Sequence, residues 1–248
     1  MASVVGHAPA VMVRGLGLSM DGQCIFDNLD GTFPAARLTV LLGGSGIGKT
    51  TLLRLVAGLI VPDTGGISAG DGLPLSGRVG WMGQNDMLLP WARVDDNVML
   101  GSRLRGEPPD RARAHDLLDQ VGLSASRTAL PSALSGGMRQ RVALARVLYE
   151  NRPVVLMDEP FSALDSLTRL RMHELAARML SGCTTILITH DPLEACRMAQ
   201  ALFMMGGAPV RLSPLSLPLS GGIDIPRAVD DPVLLSAQAD LWRRMLAS

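Results

Sequence analysis

The sequence has no excess of charge of either sign and contains few cysteines. Its 23 Asp and Glu residues balance 23 Lys and Arg residues, so no overall positive field would gather nucleic acid, and we expect no nucleic-acid partner. The three cysteines, Cys24, Cys183 and Cys196, are scattered along the chain. Their odd number and their spacing argue against a disulfide framework or a zinc site. We therefore expect all three to be small buried apolar residues.

Long hydrophobic runs are also missing. No uninterrupted apolar stretch approaches the length that spans a bilayer. Residues 1–10 show no basic region followed by an apolar run, so we expect no signal peptide. With 47% hydrophobic and 19% charged residues among 248, the chain is typical of a folded protein with one sizeable core. We expect it to stay in the cytoplasm and to reach a membrane only through a partner.

Short apolar segments alternate with helical ones. Strands are predicted within residues 11–42, with a turn at Asp21-Gly22, and the short apolar runs at 154–157 and 185–189 are typical of buried parallel strands. Pro62 and Gly65-Gly66 are expected to end the first helix. This βα alternation predicts an α/β core with a mainly parallel sheet. The predicted helices cover residues 50–60, 110–121, 165–180, 191–201 and 231–246.

One segment has the spacing of a phosphate-binding loop. Residues 43–50 fit the pattern G-x-x-x-x-G-K-[ST] between an apolar strand and a helix. Glycines allow the backbone to approach phosphates, and the successive N–H groups and the helix start attract anions. Lys49 would contact the β- and γ-phosphates, and the Thr50 hydroxyl would ligate Mg²⁺. The predicted nucleotide-binding residues of this loop are Gly43, Gly44, Ser45, Gly46, Ile47, Gly48, Lys49, Thr50 and Thr51.

Two carboxylates follow the apolar strand predicted at 154–157. Parallel strands deliver residues at their carboxyl ends to one edge of the sheet, beside the phosphate loop. Asp158 would hold Mg²⁺ and Glu159 would polarise the attacking water as general base. The competing interpretations are a glycine-rich turn before a helix at 43–50 and acidic residues that favour a helix dipole at 158–159. The combination with Lys49 favours the ATP site.

A third motif narrows the class of protein. Leu134-Ser135-Gly136-Gly137-Met138-Arg139-Gln140 precedes an amphipathic helix, and it resembles the signature motif of ABC ATPases. Ser135 is a good helix N-cap, and the two glycines leave backbone N–H groups open to an anion. Structurally the motif could be no more than a capped helix. The resemblance implies that Ser135, Gly136 and Gly137 bind the nucleotide held by a second chain.

The resemblance extends to three further positions. His190 follows the predicted strand at 185–189 and looks like the family's histidine that contacts the γ-phosphate and the attacking water. Gln84 looks like the glutamine that senses Mg²⁺ and that water. Residues 162–165 resemble the loop that crosses the dimer interface. The implied catalytic residues are Glu159, His190, Lys49 and Gln84, and the implied metal ligands are Thr50, Gln84 and Asp158.

The resemblance covers residues 11 to 205 in order and implies an architecture. It predicts an α/β P-loop NTPase (RecA-like) core, an antiparallel β subdomain and an inserted helical subdomain at about residues 86–150. The ATPase domain is expected at 8–230, followed by a C-terminal helical tail at 231–248. ATP and Mg²⁺ would be the cofactors. The implied partners are a second copy in a head-to-tail homodimer, transmembrane permease subunits and, indirectly, a substrate-binding protein, with the chain peripheral on the cytoplasmic face of the inner membrane.

Within that family, residues 88–91 and 158–165 most resemble importer subunits of the nitrate, sulfonate, taurine and thiamine-precursor group. Residues 204–212 favour the hydroxymethylpyrimidine (thiamine-precursor) members. Two positions depart from the family. Met20 stands where an aromatic residue usually stacks on adenine, and it offers less than an aromatic face, so we expect weaker discrimination between ATP and GTP. Gly83 replaces a bulky residue before Gln84, which predicts a more mobile loop.

Two other functions compete with the transport ATPase. A soluble ABC ATPase acting on DNA or the ribosome would usually carry two ATPase units, a coiled coil or basic insertions, and this chain has one unit and no heptad run. Co-purifying nucleic acid would indicate it. A P-loop kinase would transfer phosphate to a small molecule and would lack the motif at 134–140. A phosphorylated product would indicate the kinase.

Overall fold

The computed structural model describes residues 8–216 and 224–247. Nine strands of this part of the chain form two sheets. A three-stranded antiparallel sheet has the order β2-β1-β4, and a six-stranded sheet has the order β5-β6-β7-β3-β8-β9. The strands are β1 (Val11–Met20), β2 (Gln23–Phe33), β3 (Leu38–Gly43), β4 (Thr64–Ala69), β5 (Val79–Met82), β6 (Val154–Asp158), β7 (Thr184–Ile188), β8 (Ala201–Gly206) and β9 (Arg211–Pro214).

Five strands of the larger sheet are parallel, and β9 is an antiparallel edge strand. Every residue of β3, β6 and β7 is buried, as expected where helices cover both faces of a parallel sheet. The register pairs Leu41 of β3 with Ile188 of β7, and Ile188 with Asp158 of β6. The carboxyl ends of these strands therefore meet at one edge of the sheet.

Eight helices occur in the described residues, together with 3₁₀ turns at Ser124–Ser126 and Pro131–Ala133. Those between β5 and β6 form the helical region expected from the sequence. The helices are α1 (Lys49–Val56), α2 (Val94–Val98), α3 (Leu100–Leu104), α4 (Arg111–Gln120), α5 (Gly136–Glu150), α6 (Ser166–Met179), α7 (Pro192–Met198) and α8 (Pro232–Ala247). None of them is long and apolar enough to cross a membrane.

Two hydrophobic clusters hold these layers together. One cluster joins α1 and the antiparallel sheet to one face of the larger sheet. The other joins the helical region, α6, α7 and α8 to the opposite face of that sheet. α8 packs on α7 through Leu234, Ala237 and Leu241, which are fully or almost fully buried. Arg227 adds a polar contact, because its guanidinium donates to the carbonyl oxygens of Cys196 and Ala199. The helix after residue 231 thus packs on the core.

Several boundaries and segments differ from the sequence prediction. α1 ends at Val56 rather than at residue 60, because Gly58 adopts a left-handed φ of 71° immediately after the C-cap. Pro62 and Gly65-Gly66 are therefore not its end. α7 ends at Met198 rather than at 201.

Two strands, β8 and β9, were not foreseen in the chain after residue 200. The Pro- and Ser-rich stretch at 206–226 is thus partly a strand, and its residues 217–223 lie outside the described residues. The expectation for the cysteines was wrong for Cys24, which is exposed, while Cys196 is buried and Cys183 is half-buried. The division into a domain at 8–230 and a tail at 231–248 stays a prediction.

Candidate nucleotide-binding site

The glycine loop lies between β3 and α1, at the carboxyl edge of the parallel sheet. Gly48 stands directly before α1 with a left-handed φ of 101°, and a Cβ atom there would lie 2.9 Å from Phe26 Cζ. At Gly43 a Cβ atom would lie 2.4 Å from the carbonyl oxygen of Met205. Both positions therefore need glycine for conformation or space. No side chain caps the start of α1, so its first N–H groups can bind an anion.

A cleft of about 300 Å³ opens at this loop and collects residues from four separate parts of the chain. Gln84 comes from just beyond β5, Asp158 is the last residue of β6, and Glu159 follows it. The β5-β6-β7-β3 order brings these segments to one edge. The cleft is lined by Ser45, Gly46, Gly48, Lys49, Thr50, Thr51, Gln84, Asp158, Glu159 and Ile188.

Lys49 and Thr50 face the acidic residues across the cleft. The Thr50 hydroxyl donates to Asp158 Oδ2 at 2.7 Å. Lys49 Nζ donates to the carbonyl oxygens of Gly43 and Gly44 at 2.9 and 2.7 Å. The Lys49 ammonium group thus lies over the glycine loop. There it can also contact a phosphate that is bound by the backbone N–H groups of the loop.

Burial disfavours charge in this cleft. It lowers the pKa of Lys49, against the attraction of the Glu159 and Asp158 carboxylates, which raises it. Burial likewise raises the pKa of Asp158, and the nearby Glu159 carboxylate adds to this, while the Thr50 hydrogen bond and Lys49 oppose it. Perturbed groups of both signs in one cleft are typical of functional sites.

Glu159 lies between two further polar side chains. Its Oε1 is 3.1 Å from Nδ1 of His190, and its Oε2 accepts from Nε2 of Gln84 at 3.5 Å. The His190 side chain is 65% exposed, so it can also reach a ligand in the cleft from solvent. The structure therefore brings together residues that are more than 100 positions apart in sequence.

The motif at Ser135–Gly137 does not line this cleft. Ser135 is the N-cap of α5, and its hydroxyl accepts from the Met138 backbone N–H at 3.3 Å. Ser135 and Gly136 are exposed. Met20 also stands apart from the lining residues, at the end of β1, and is 41% exposed. Most of the predicted residues thus line one cleft, and His190 adjoins it through Glu159. Gly43, Gly44 and Ile47 belong to the same loop without lining the cleft, and the motif at 135–137 and Met20 lie apart from it.

Sequence reasoning missed two features near the cleft. Gln140 of α5 is buried and hydrogen-bonds the backbone of Glu159 and Ala163. Arg139 and Arg146 of the same helix bond the segment after Gln84, through the Asp86 carboxylate and backbone carbonyls. A polar residue among the buried positions of an amphipathic helix was the available signal for Gln140.

Comparison with known proteins places this chain in a family. A family model described as ABC transporter matches residues 26–162. The aliphatic sulfonates import ATP-binding protein SsuB 2 of Xanthomonas axonopodis pv. citri is 39% identical over 95% of this chain and 79% of its own length. The chain belongs to the ABC transporter family. It is an ATPase, and its family binds ATP.

Further relatives agree with this assignment. An SsuB of Rhodopseudomonas palustris is 40% identical over 96% of this chain and 84% of its own length. An ABC transporter ATP-binding protein of Haemophilus influenzae is 37% identical over 94% of each chain. The ATP-binding cassette MJ0796, solved as a dimer in a post-hydrolysis state with ADP and Pi, matches with a TM-score of 0.70 and 26% identity over 78% of this chain and 93% of that one. The P-loop NTPase fold predicted from the sequence is confirmed.

Proposed function

We propose that this ABC ATPase is the energy-coupling subunit of an importer and that Glu159 is its general base. One observation carries the catalytic part of the proposal: Glu159 lies between Gln84 and His190 in the cleft that the phosphate loop opens. Three groups around one water position are what general-base catalysis of phosphoryl transfer to water needs.

The loop binds the triphosphate through its backbone. N–H groups of the turn and of the uncapped start of α1 surround the β- and γ-phosphates, and Lys49 adds a positive charge to them. At the other end of the nucleotide, Met20 contacts the adenine through its thioether, which discriminates between bases less than an aromatic ring would.

The oxygen donors beside Thr50 fit Mg²⁺. A hydroxyl, a carboxylate and an amide oxygen come from Thr50, Asp158 and Gln84, all of which line the cleft. Mg²⁺ takes few protein oxygens of this hard type together with phosphate oxygens and water. Bound there, the metal supplies neutralisation of the phosphate charge. Among the described residues no cluster of three or more His, Cys, Asp and Glu suggests another metal.

Glu159 accepts the proton of the attacking water, and its two neighbours orient that water. His190 holds Oε1 and Gln84 holds Oε2, so the carboxylate keeps one orientation toward the γ-phosphate. His190 is also exposed enough to donate to the γ-phosphate as charge develops on it. None of the described residues that line the cleft belongs to the motif at 134–140.

A second copy would bring this motif to the cleft. At the start of α5, Ser135 and Gly136 are exposed and Gly137 is half-buried, and all three stand outside the cleft of their own chain. A head-to-tail homodimer would place it on the ATP held by Lys49 of the other copy. The solved cassette MJ0796 is described as dimeric, which supports this arrangement.

Substitution Glu159→Gln tests the catalytic assignment. The amide keeps the size of the side chain but cannot take a proton, so hydrolysis should fall about 100-fold or more, while ATP still binds and dimers accumulate with ATP. Phosphate release, equilibrium binding of ATP and size-exclusion chromatography measure the three effects. Near-normal phosphate release by this variant would show that Glu159 is not the base.

An apolar groove offers a surface for the permease. Trp81, Met87, Leu100 and Leu104 line it between β5 and the helical region, and Met87 and Leu104 are 57% and 78% exposed. Large exposed apolar side chains around one groove indicate a protein contact. The groove adjoins the segment that follows Gln84, because Met87 lines it. A permease helix docked there would contact this segment and could change the position of Gln84.

Leu104→Asp tests this contact in the complex with the permease. A charge in the groove should remove ATPase subunits from the purified complex and abolish uptake of an alkanesulfonate into vesicles. The isolated subunit should hydrolyse ATP at the normal rate, because Leu104 is outside the cleft. Leu167→Asp, at a 70% exposed apolar position of α6 away from the groove, is the matched control and should leave the complex intact.

The proposed cargo is an aliphatic sulfonate, taken up with the help of a substrate-binding protein. Relatives from two bacterial genera carry that name. The resemblance to thiamine-precursor members lies in residues 204–212, of which 204–206 belong to β8 and 211–212 to β9. The ATPase would lie on the cytoplasmic face of the inner membrane. A soluble ABC ATPase acting on nucleic acid remains the alternative, and co-purification of nucleic acid in place of permease would favour it.

A further inference from the structure

Gln140 connects α5 to the backbone beside the general base. The side chain is 5% exposed and lies in the second turn of α5. Its Nε2 donates to the carbonyl oxygen of Glu159 at 3.1 Å, and its Oε1 accepts from the backbone N–H of Ala163 at 2.9 Å. Both ends of the buried amide are therefore satisfied by the segment that follows β6, where leaving either unpaired would be costly.

The backbone that Gln140 contacts is in an unfavourable conformation. Glu159 has a φ of 50°, in the left-handed region that a side chain disfavours by about 1–2 kcal/mol. Such conformations persist when several contacts hold the residue in place. The Glu159 N–H donates to the Ile188 carbonyl oxygen at 3.0 Å, which fixes one side of the residue.

The carbonyl side of Glu159 is held by two residues. Ser162 donates to it through its N–H at 3.3 Å and its hydroxyl at 3.0 Å. Those bonds close a local turn and would move with it. Gln140 is different, because it belongs to α5, a separate helix anchored in the core by Val142, Ala143 and Leu144. Its bond ties the turn to a fixed point.

We propose that Gln140 is a positioning residue for hydrolysis: it holds the left-handed backbone of Glu159 so that the carboxylate stays between His190 and Gln84. The inference rests on the proposed role of Glu159 as general base. A shift of the backbone toward the ordinary right-handed region would swing the carboxylate away from both neighbours. Displacements of about 1 Å in a catalytic group cost about 100-fold in rate.

Two variants of similar size separate the two hydrogen bonds. Gln140→Met removes both, whereas Gln140→Glu keeps an acceptor for the Ala163 N–H and removes the donor to Glu159. If the bond to Glu159 matters, both should lower kcat about 10- to 100-fold and change KM for ATP less than about 3-fold. Gln200→Met is the control, because Gln200 bonds the Leu38 N–H at the opposite end of β3, and its kcat should stay within about 2-fold of wild type.

A double-mutant cycle shows whether Gln140 acts through Glu159. In the Glu159→Gln background, adding Gln140→Met should lower the residual rate less than about 2-fold further, because the group being positioned is already gone. A full additional loss there would mean a general structural role and would overturn the inference. Thermal melting of each variant checks folding, and if Gln140→Met does not fold, Gln140→Glu alone decides.

The remaining outcomes are also distinct. Normal kcat in both Gln140 variants, with Glu159→Gln inactive, would overturn the positioning role and leave the proposed function intact. Near-normal turnover by Glu159→Gln would overturn the role of Glu159, and the positioning role with it.

Discussion

Two helices of this chain begin at glycine-rich segments, and their starts are built in opposite ways. α1 follows a left-handed Gly48, has no side-chain cap, and faces a cleft with buried charges. α5 follows Ser135, whose hydroxyl caps the first turn, and its start is exposed away from that cleft. The first start has N–H groups that no side chain caps. The second is stable by itself and is available to another molecule.

The difference fits the two roles proposed for these helix starts in binding phosphate. The uncapped start of α1 can donate its N–H groups directly to a phosphate, and Gly48 adopts the left-handed backbone there without a side-chain penalty. A start that meets its ligand only when two copies close needs to keep its shape between encounters, and a serine cap provides this. Breaking each start separately should therefore have different consequences.

The largest expected effect is on ATP hydrolysis, when one variant is defective at the start of α1 and a second variant is defective at the start of α5. Lys49→Ala and Gly136→Asp should each abolish hydrolysis in homodimers. A mixture of the two variants should recover up to about one quarter of the wild-type rate, because half of the dimers are mixed and each mixed dimer has one intact composite site. Steady-state phosphate release from titrated mixtures measures the recovery.

The control for this experiment mixes two variants of the same start. Lys49→Ala with Thr50→Val leaves no intact site in any dimer and should give no recovery. If Lys49→Ala with Gly136→Asp also gives none at any ratio, the two starts do not meet across an interface.

A smaller effect is expected when a glycine at each helix start is replaced by alanine, because the two replacements should change stability and ATP binding differently. Gly48→Ala would add a Cβ atom 2.9 Å from Phe26 Cζ at a left-handed φ, so stability should fall by about 1–3 kcal/mol and ATP binding should be lost. Gly136→Ala meets no described atom closer than 3.9 Å, and its helical position should gain up to about 1 kcal/mol. Urea denaturation and ATP binding by the isolated subunit distinguish the two variants; equal destabilisation would remove the contrast.

The smallest expected effects are on stability, where a substitution at the start of α5 and one in the cleft beside α1 should act in opposite directions. Ser135→Ala removes the α5 cap and should lower stability by about 1 kcal/mol at every pH. Asp158→Asn should raise the melting temperature at pH 8, by about 2 °C, because burial raises the pKa of Asp158 and its charged form is unfavourable in the fold.

The pH dependence of Asp158→Asn follows from the direction of that shift. Because the folded pKa of Asp158 lies above the unfolded one, the folded wild type gains stability as pH falls and the carboxylate takes up a proton. The advantage of the asparagine variant should therefore shrink toward acid pH, as differential scanning calorimetry without nucleotide can measure. An advantage that is constant from pH 8 to pH 4 would contradict the assignment.

Residue spacing and hydrophobicity within short segments predicted those parts of the fold that depend on neighbouring residues in the sequence. The phosphate loop, the turn at Asp21-Gly22 and the buried strands ending at Asp158 and Ile188 follow from residue spacing and hydrophobicity, and the structure has them within one or two positions. The end of α1 was misplaced because the helix signal of Leu59 and Ile60 continues beyond Gly58, whose left-handed backbone ends the helix first.

Short sequence patterns could not predict features that depend on contacts between distant parts of the chain. The sequence does not predict β8, because the apolar run Ala201–Gly206 fits either a helix or a strand and only its pairing with β3 decides. Gln84 and His190 were named by family resemblance, and strand order, not spacing, brings them to Glu159. The contact of Gln140 with Glu159 was missed because it joins a helix to a turn by one buried amide.

The position of β3 in the sheet has a consequence for how the protein is made. Both of its neighbours, β7 and β8, begin more than 140 residues later in the chain. At about 5–20 residues per second, a ribosome needs on the order of ten seconds to supply them after β3 has been synthesised. Until then the strand that carries the phosphate loop has no partner in its sheet, so ATP can stabilise the nascent chain only late in translation.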